Sequence, residues 1–293
     1  MQAFRLTAAT LCSAALATAF SAGVAASSTL VVDRGLPNQN LNNAAGGDRS
    51  NVAWGPSGGG LVAPGDIVYG DSFSLGPTGD AGNPSWSVDR LTAWFTAGSD
   101  GDTDFEVGSL FSSMSLFLGP LGGVGSTIGQ VASSAITGNS ADAANVEISR
   151  VSYANGEGYQ GSGGGFLQIW QIDFFNVGNL APGDYMFGIG AGQTATDLAD
   201  AVPFFLHASN ALLGGVTADD ANDTYLDFDL IASGTELQLF AVNDSDGFGW
   251  NKSSDINVQV WATPIPLPAA GWLLLGGLGA LGFAARRKRK MVA

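Results

Sequence analysis

Residue types that usually carry chemistry are scarce in this sequence. Its 293 residues include one cysteine, Cys12, and one histidine, His207, and only 11 lysines and arginines. A lone cysteine cannot form a disulfide within the chain, so the core must hold without covalent staples, which a chain of this length can do. One histidine and one cysteine also exclude a zinc centre of the usual kind. His207 lies in the apolar run Val202-Pro203-Phe204-Phe205-Leu206-His207, which reads as a strand position. As a catalytic base it would need a nucleophile and an orienting carboxylate, and no G-x-S-x-G motif is present. Paired carboxylates for glycoside hydrolysis carry no signal here, because 26 acidic residues produce such pairs by chance.

The shortage of positive charge is sharper than the totals show. Arg5 stands near the start, and Arg286, Arg287, Lys288, Arg289 and Lys290 stand near the end. Between them remain five basic residues against 26 acidic ones, a net charge of −21. Nucleic acid is excluded as a partner, because phosphate binding needs cations. Electrostatic adhesion of this acidic body to anionic lipid is disfavoured for the same reason. A charge of this size favours solubility and attracts cations. Hydrophobic residues at 45% argue against disorder despite 43 glycines.

Long apolar runs occur only at the two ends. Residues 1–26 have the layout of a secretory signal peptide: Arg5, an apolar stretch from Leu6 to about Phe20, then Val24-Ala25-Ala26 before an expected cleavage at Ser27. Cys12 lies inside that segment. Leu11 precedes it where a lipoprotein signal needs Gly, Ala or Ser, so no lipid attachment is expected. At the other end, Ala269 to Ala285 carries no charge over 17 residues. At about 1.5 Å per residue a helix of that length spans about 25 Å, the short end of what crosses a bilayer. Pro264, Pro266 and Pro268 set its start, and Trp272 suits the interface. The five cations that follow favour the cytoplasmic side and place the acidic body outside.

The segment Ile265-Pro266-Leu267-Pro268-Ala269, then Gly271-Trp272-Leu273-Leu274-Leu275-Gly276-Gly277-Leu278, then the basic run, resembles the VPLPA variant of the PEP-CTERM sorting signals. Ile265 stands where that pattern usually has Val. The resemblance covers under a tenth of the chain. It implies an exported protein of a Gram-negative bacterium whose tail is read by an exosortase, a membrane-embedded cysteine protease. The implied path is inner membrane first, then cell surface or medium. A plain C-terminal anchor is the alternative, since its physical pattern is the same.

Between the ends, alternation of apolar and polar residues recurs with turn residues between the runs. Leu226, Phe228 and Leu230 oppose Asp227 and Asp229; Ile256, Val258 and Val260 alternate with Asn257 and Gln259. Tyr69, Phe73 and Leu75 share a face that Asp71 interrupts. Phe166 to Phe175 is apolar on both faces, as in a central strand. Further strands are expected at 86–97, 114–118, 146–153, 184–189, 202–208 and 236–242. Ala63-Pro64-Gly65-Asp66 and Ala181-Pro182-Gly183-Asp184 read as tight turns entering strands. About ten strands without long helical patterns fit an all-β domain, a two-sheet sandwich of jelly-roll type. The expected organisation is a signal peptide at 1–26, an acidic ectodomain at 27–262 and a sorting signal at 263–293. A parallel β-helix is the second choice, and no fixed-length repeat supports it.

Two sets of residues are candidates for binding. Asp100, Asp102 and Asp104 alternate in an acidic loop, a pattern calcium uses because it takes six to eight oxygen ligands. Phe105 stands where an EF-hand loop needs Gly and Phe111 where it needs Glu, and a solvated acidic turn is the plainer reading. Trp54, Tyr159 and Trp250 lie in polar or Gly-rich contexts and are candidates for stacking on sugar rings. Plugging a core edge is the competing role, because aromatics bury large areas. The resulting expectation is a non-catalytic surface or matrix protein associated with polysaccharide. A polysaccharide-acting enzyme, a calcium-dependent adhesion module and a purely structural envelope component are the alternatives.

Overall fold

The computed structural model describes residues 27–34, 50–53, 67–79, 85–97, 105–152, 159–160, 166–194, 202, 204–210, 224–244 and 254–265. Seventeen strands and one helical turn, Val107–Leu110, occur among them. The strands are β1 (Thr29–Asp33), β2 (Ser50–Ala53), β3 (Ile67–Leu75), β4 (Ser85–Ala97), β5 (Phe111–Pro120) and β6 (Thr127–Thr137). Next come β7 (Ser140–Ala141), β8 (Val146–Arg150), β9 (Tyr159–Gln160), β10 (Phe166–Leu167), β11 (Trp170–Leu180) and β12 (Gly183–Gln193). The last five are β13 (Phe204–Asn210), β14 (Thr224–Leu230), β15 (Glu236–Asp244), β16 (Ser254–Ile256) and β17 (Val258–Ile265).

They form two large antiparallel sheets in a sandwich-like arrangement, as the alternation predicts. The first runs β1-β17-β4-β11-β8, with β13 pairing β4, β2 and β16. The second runs β15-β14-β3-β12-β5-β6-β7, and β15 also pairs with β6. That extra pairing closes six strands into a ring. A jelly roll keeps two open sheets; here one sheet curls on itself and so has two buried faces.

The cores follow from this. One cluster draws on both sheets, with Leu91, Phe95, Ile172, Phe174 and Val260 from the first against Phe73, Leu116, Phe187 and Ile189 from the second. A second lies inside the ring and takes a residue from each of its strands, including Val68, Phe117, Ile128, Met186, Phe228 and Leu237, and a small third joins Trp94 and Ile169. The interior is narrow. A Cβ at Gly188 would lie 2.9 Å from Leu237 Cδ1, and one at Gly70 would lie 1.7 Å from the Phe187 carbonyl oxygen. Glycine is needed where backbones approach this closely.

Most expected strands appear with longer ends. Leu226, Phe228 and Leu230 are buried while Asp227 and Asp229 are half-exposed. β11 is central, between β4 and β8. Phe166 and Leu167 are not part of it but form the short hairpin β9–β10. The Ala181–Gly183 turn does lead into β12, and the Tyr185 hydroxyl donates to the Ala181 carbonyl at 2.8 Å. The twin turn at Ala63–Asp66 lies outside the described residues. β6 has no clear periodicity in sequence, because a bulge between Gln130 and Ala132 turns Ile128 into the ring and Ala132, Ser134 and Ile136 to the other face, where two of the three are small.

Candidate functional site

Asp71, which interrupts an apolar face of β3, is explained by Arg34 at the end of β1. Arg34 Nη1 lies 2.8 Å from Asp71 Oδ2, with both side chains 1% exposed. The other Arg34 Nη donates to the Ser72 carbonyl. Asp71 also accepts the Ser72 and Ile256 amides at 2.7 and 3.0 Å. The network continues through Asn257, whose Nδ2 donates to the Arg34 carbonyl at 2.8 Å and whose Oδ1 lies 2.7 Å from His207 Nδ1. These contacts join β1, β3, β13 and the β16–β17 junction. Burial lowers the His207 pKa to about 4, with the Asn257 hydrogen bond opposing. The lone histidine is therefore a neutral core group bonded to an amide. Among the described residues no His, Cys, Asp or Glu cluster of three could hold a metal ion.

The outer face of the first sheet is polar around Trp261 of β17, while farther along the same face Trp94 of β4 is buried against Ile169, Val151 and Phe205. On β17, Gln259, Trp261 and Thr263 point outward, half-buried, while Val258, Val260 and Ala262 point to the core. Register places Trp261 beside Arg90 and Gln259 beside Thr92. Thr92 in turn pairs with Asp173 of β11, which pairs with Glu147 of β8. Arg90 stacks on the Trp261 ring, 4.7 Å from its centroid, and its Nε is 3.7 Å from Asp173. Asp173 accepts the Thr92 hydroxyl and Gln171 Nε2, the latter at 2.7 Å. Gln259 donates to Asp33 at 3.0 Å and Thr263 to Asp89 at 2.5 Å.

Two irregularities shape this face. Asp89 is an extra residue between the pairs Trp261↔Arg90 and Ala262↔Val88. β11 is bulged between Phe175 and Gly178, where Asn176 has φ 54° and Gly178 φ 135°. Bulges re-aim side chains, and here the half-exposed neighbours Asp89 and Arg90 both reach the outer face. The indole N–H of Trp261 is buried without a hydrogen-bond partner, a state that calls for an explanation.

Beyond Ala262, β17 has only β4 as a partner. Pro264 sits opposite Trp86 and Ile265 opposite Ser85, while β1 begins its pairing at Thr29↔Ala262. An edge of this kind tolerates proline, which has no N–H to give. The first residue of the sorting pattern, Ile265, is thus the last residue of β17. Pro266, Leu267, Pro268, Ala269 and the cations Arg286, Arg287, Lys288, Arg289 and Lys290 lie outside the described residues, as does the expected hydrophobic helix. No helix among the described residues is long and apolar enough to cross a membrane. Asp100, Asp102, Asp104, Trp54 and Trp250 also lie outside them. Tyr159 is in β9, opposite Leu167, and its side chain is not among the described parts.

Residues 264–290 match the PEP-CTERM protein-sorting motif. The chain therefore carries a signal for export and surface sorting by an exosortase-type system, attached directly to the last strand of an all-β body. No curated protein and no solved structure matches the chain.

Proposed function

We propose that this is a non-catalytic protein of the bacterial cell surface or extracellular matrix that associates with an uncharged polysaccharide. The observation that carries the reading is the sorting motif at 264–290, which begins inside β17. Cleavage of an N-terminal signal before Ser27 would leave two residues ahead of β1. Its Ile265-Pro266-Leu267-Pro268-Ala269 segment makes it a VPLPA-type signal, held in the inner membrane until the exosortase acts.

The outer face around Trp261 supports the polysaccharide part. An indole ring with Arg90 stacked on it and Gln259 beside it on the same strand, and Asp173 and Gln171 farther across the sheet, combines apolar surface for sugar C–H groups with planar donors and acceptors for hydroxyls. With a net charge of −21 on the body, an anionic polymer would be repelled. The only histidine is tied into the core, which leaves the aromatic face as the better-formed feature for binding than for turnover. Retention of the protein on neutral glycans, without release of oligosaccharides, is the test. Released oligosaccharides would instead make it an enzyme.

A further inference from the structure

One end of the sandwich differs from the rest, and both terminal strands meet there. β1 starts at that end, paired to Ala262, and β17 leaves from it at Ile265. The end of β11 lies alongside, with Leu180 opposite Trp86. Trp86 Nε1 donates to the Gly76 carbonyl at 2.9 Å and so fixes the end of β3 in the second sheet to the same pole. Gly183 of β12 pairs with Leu75, Tyr185 with Pro120, and the Leu121 amide donates to the Asp184 carbonyl at 2.9 Å. The β5–β6 turn therefore projects from this end too. β15 is bound to it through Gly125 N to Leu239 O at 2.7 Å and Leu239 N to Ser126 O at 2.8 Å.

Four of the five exposed large apolar side chains among the described residues gather here. They are Leu121 (44% exposed) and Val124 (67%) on the turn, and Phe240 (38%) and Val242 (52%) on the outward face of β15. The described loops of this pole, residues 76–79, 121–126 and 181–183, contain no charged residue. In a body with 26 acids the loops of this tip are poor in charge, with Asp184, exposed and bonded to the Ser74 hydroxyl, as the carboxylate beside them. Apolar side chains grouped on a surface mark a site of contact.

We infer that this tip rests on the lipid surface while the sorting segment is held in the membrane. This rests on the reading of residues 269–285 as a membrane-inserted run. Only Pro266, Leu267 and Pro268 separate Ile265 from that run. Three residues reach about 10 Å when extended, so the pole from which β17 emerges is drawn against the bilayer. The acidic body would be repelled by anionic headgroups. The charge-free loops 76–79, 121–126 and 181–183 reduce that penalty where the distance is shortest, leaving Asp184 as the carboxylate beside them, and Leu121, Val124, Phe240 and Val242 supply apolar contact. Presented close to the membrane, the Pro-Leu-Pro-Ala segment is held within reach of a membrane-embedded protease.

The test uses single-cysteine forms of the full chain, with Cys12 replaced by serine, in vesicles of phosphatidylethanolamine and phosphatidylglycerol. An environment-sensitive dye is placed on Val124→Cys, on Ser140→Cys at the opposite end, or on Gly277→Cys inside the apolar run. The expected result is a blue shift and loss of emission to a lipid-borne quencher at 277 and 124, with neither at 140. Quenching at 277 without change at 124 overturns the tip contact and leaves the sorting segment intact. A blue shift at 124 that the lipid quencher does not reach means protein covers the tip, either a second copy or the chain's own tail, and overturns it as well. No quenching at 277 removes the inserted segment itself, and the tip contact with it.

Discussion

Arg34 and Asp71 meet at 2.8 Å in a place where water has almost no access to either. The pair joins the first strand of the body to the third and, through Asn257, to the strand that carries the sorting motif. Removing one partner leaves the other as a buried charge, which costs about 3–5 kcal/mol. Arg34→Ala should therefore lower the unfolding free energy by about that amount in urea denaturation. A change within 0.5 kcal/mol, the usual range for a surface substitution, would mean that the pair is not buried in solution.

His207 gives a pH dependence whose sign is fixed. Its folded pKa, about 4, lies below the ordinary value of 6.5. The unfolded chain therefore binds the proton more readily, and stability falls as pH drops from 6.5 towards 4. Between pH 7 and pH 5 this group alone removes about 2 kcal/mol. His207→Gln should make the loss over that interval smaller by about the same amount, measured by urea melts at both pH values. An identical pH profile for the two forms would contradict a buried neutral imidazole.

The close approach of β3 and β12 makes Gly70 intolerant of a side chain. A methyl group there would overlap the Phe187 carbonyl oxygen at 1.7 Å, and backbone cannot rotate away as a side chain can. Gly70→Ala should cost about 1–3 kcal/mol or more, the range for overpacked cores. Val131→Ala, on the outward face of β6, serves as the control and should melt like the parent. Equal melting of both variants would argue against this close approach of β3 and β12.

These features differ in how far sequence reveals them. The apolar faces of β14 and β17 are legible because side-chain direction alternates with period two. The sorting motif is legible because proline, apolar run and cations follow in order. Asp71 shows only as an interruption, since its partner Arg34 is 37 residues away and nothing local announces the pair. The ring closure depends on three register pairs between β15 and β6. β6 switches its buried face at the bulge and has small residues beyond it, so periodicity alone does not mark it. Asp173 lies within a strand-like run and Trp261 just past one, and that they share an outer face follows from register across β17, β4 and β11. Calcium at Asp100, Asp102 and Asp104 and stacking on Trp54 and Trp250 concern residues outside the described ones, and Tyr159 lies in β9.

The Trp261 face makes a binding prediction. Trp261→Ala should weaken retention on a neutral polysaccharide about tenfold, equivalent to about 1.4 kcal/mol, as one aromatic contact of this size allows. Affinity electrophoresis on neutral glycan gels reads the effect, with melting temperature as the control for folding. Unchanged retention would move any glycan contact to another part of the surface.

The sorting motif is tested most directly by the intact mass of the protein recovered from surface and medium of its own cells, with and without the exosortase. The account predicts a chain that begins at Ser27 and, only when the exosortase is present, has lost or exchanged the segment after the Pro-Leu-Pro-Ala motif. A cytosolic chain of unaltered mass, with Met1 and the basic tail both in place, would contradict it.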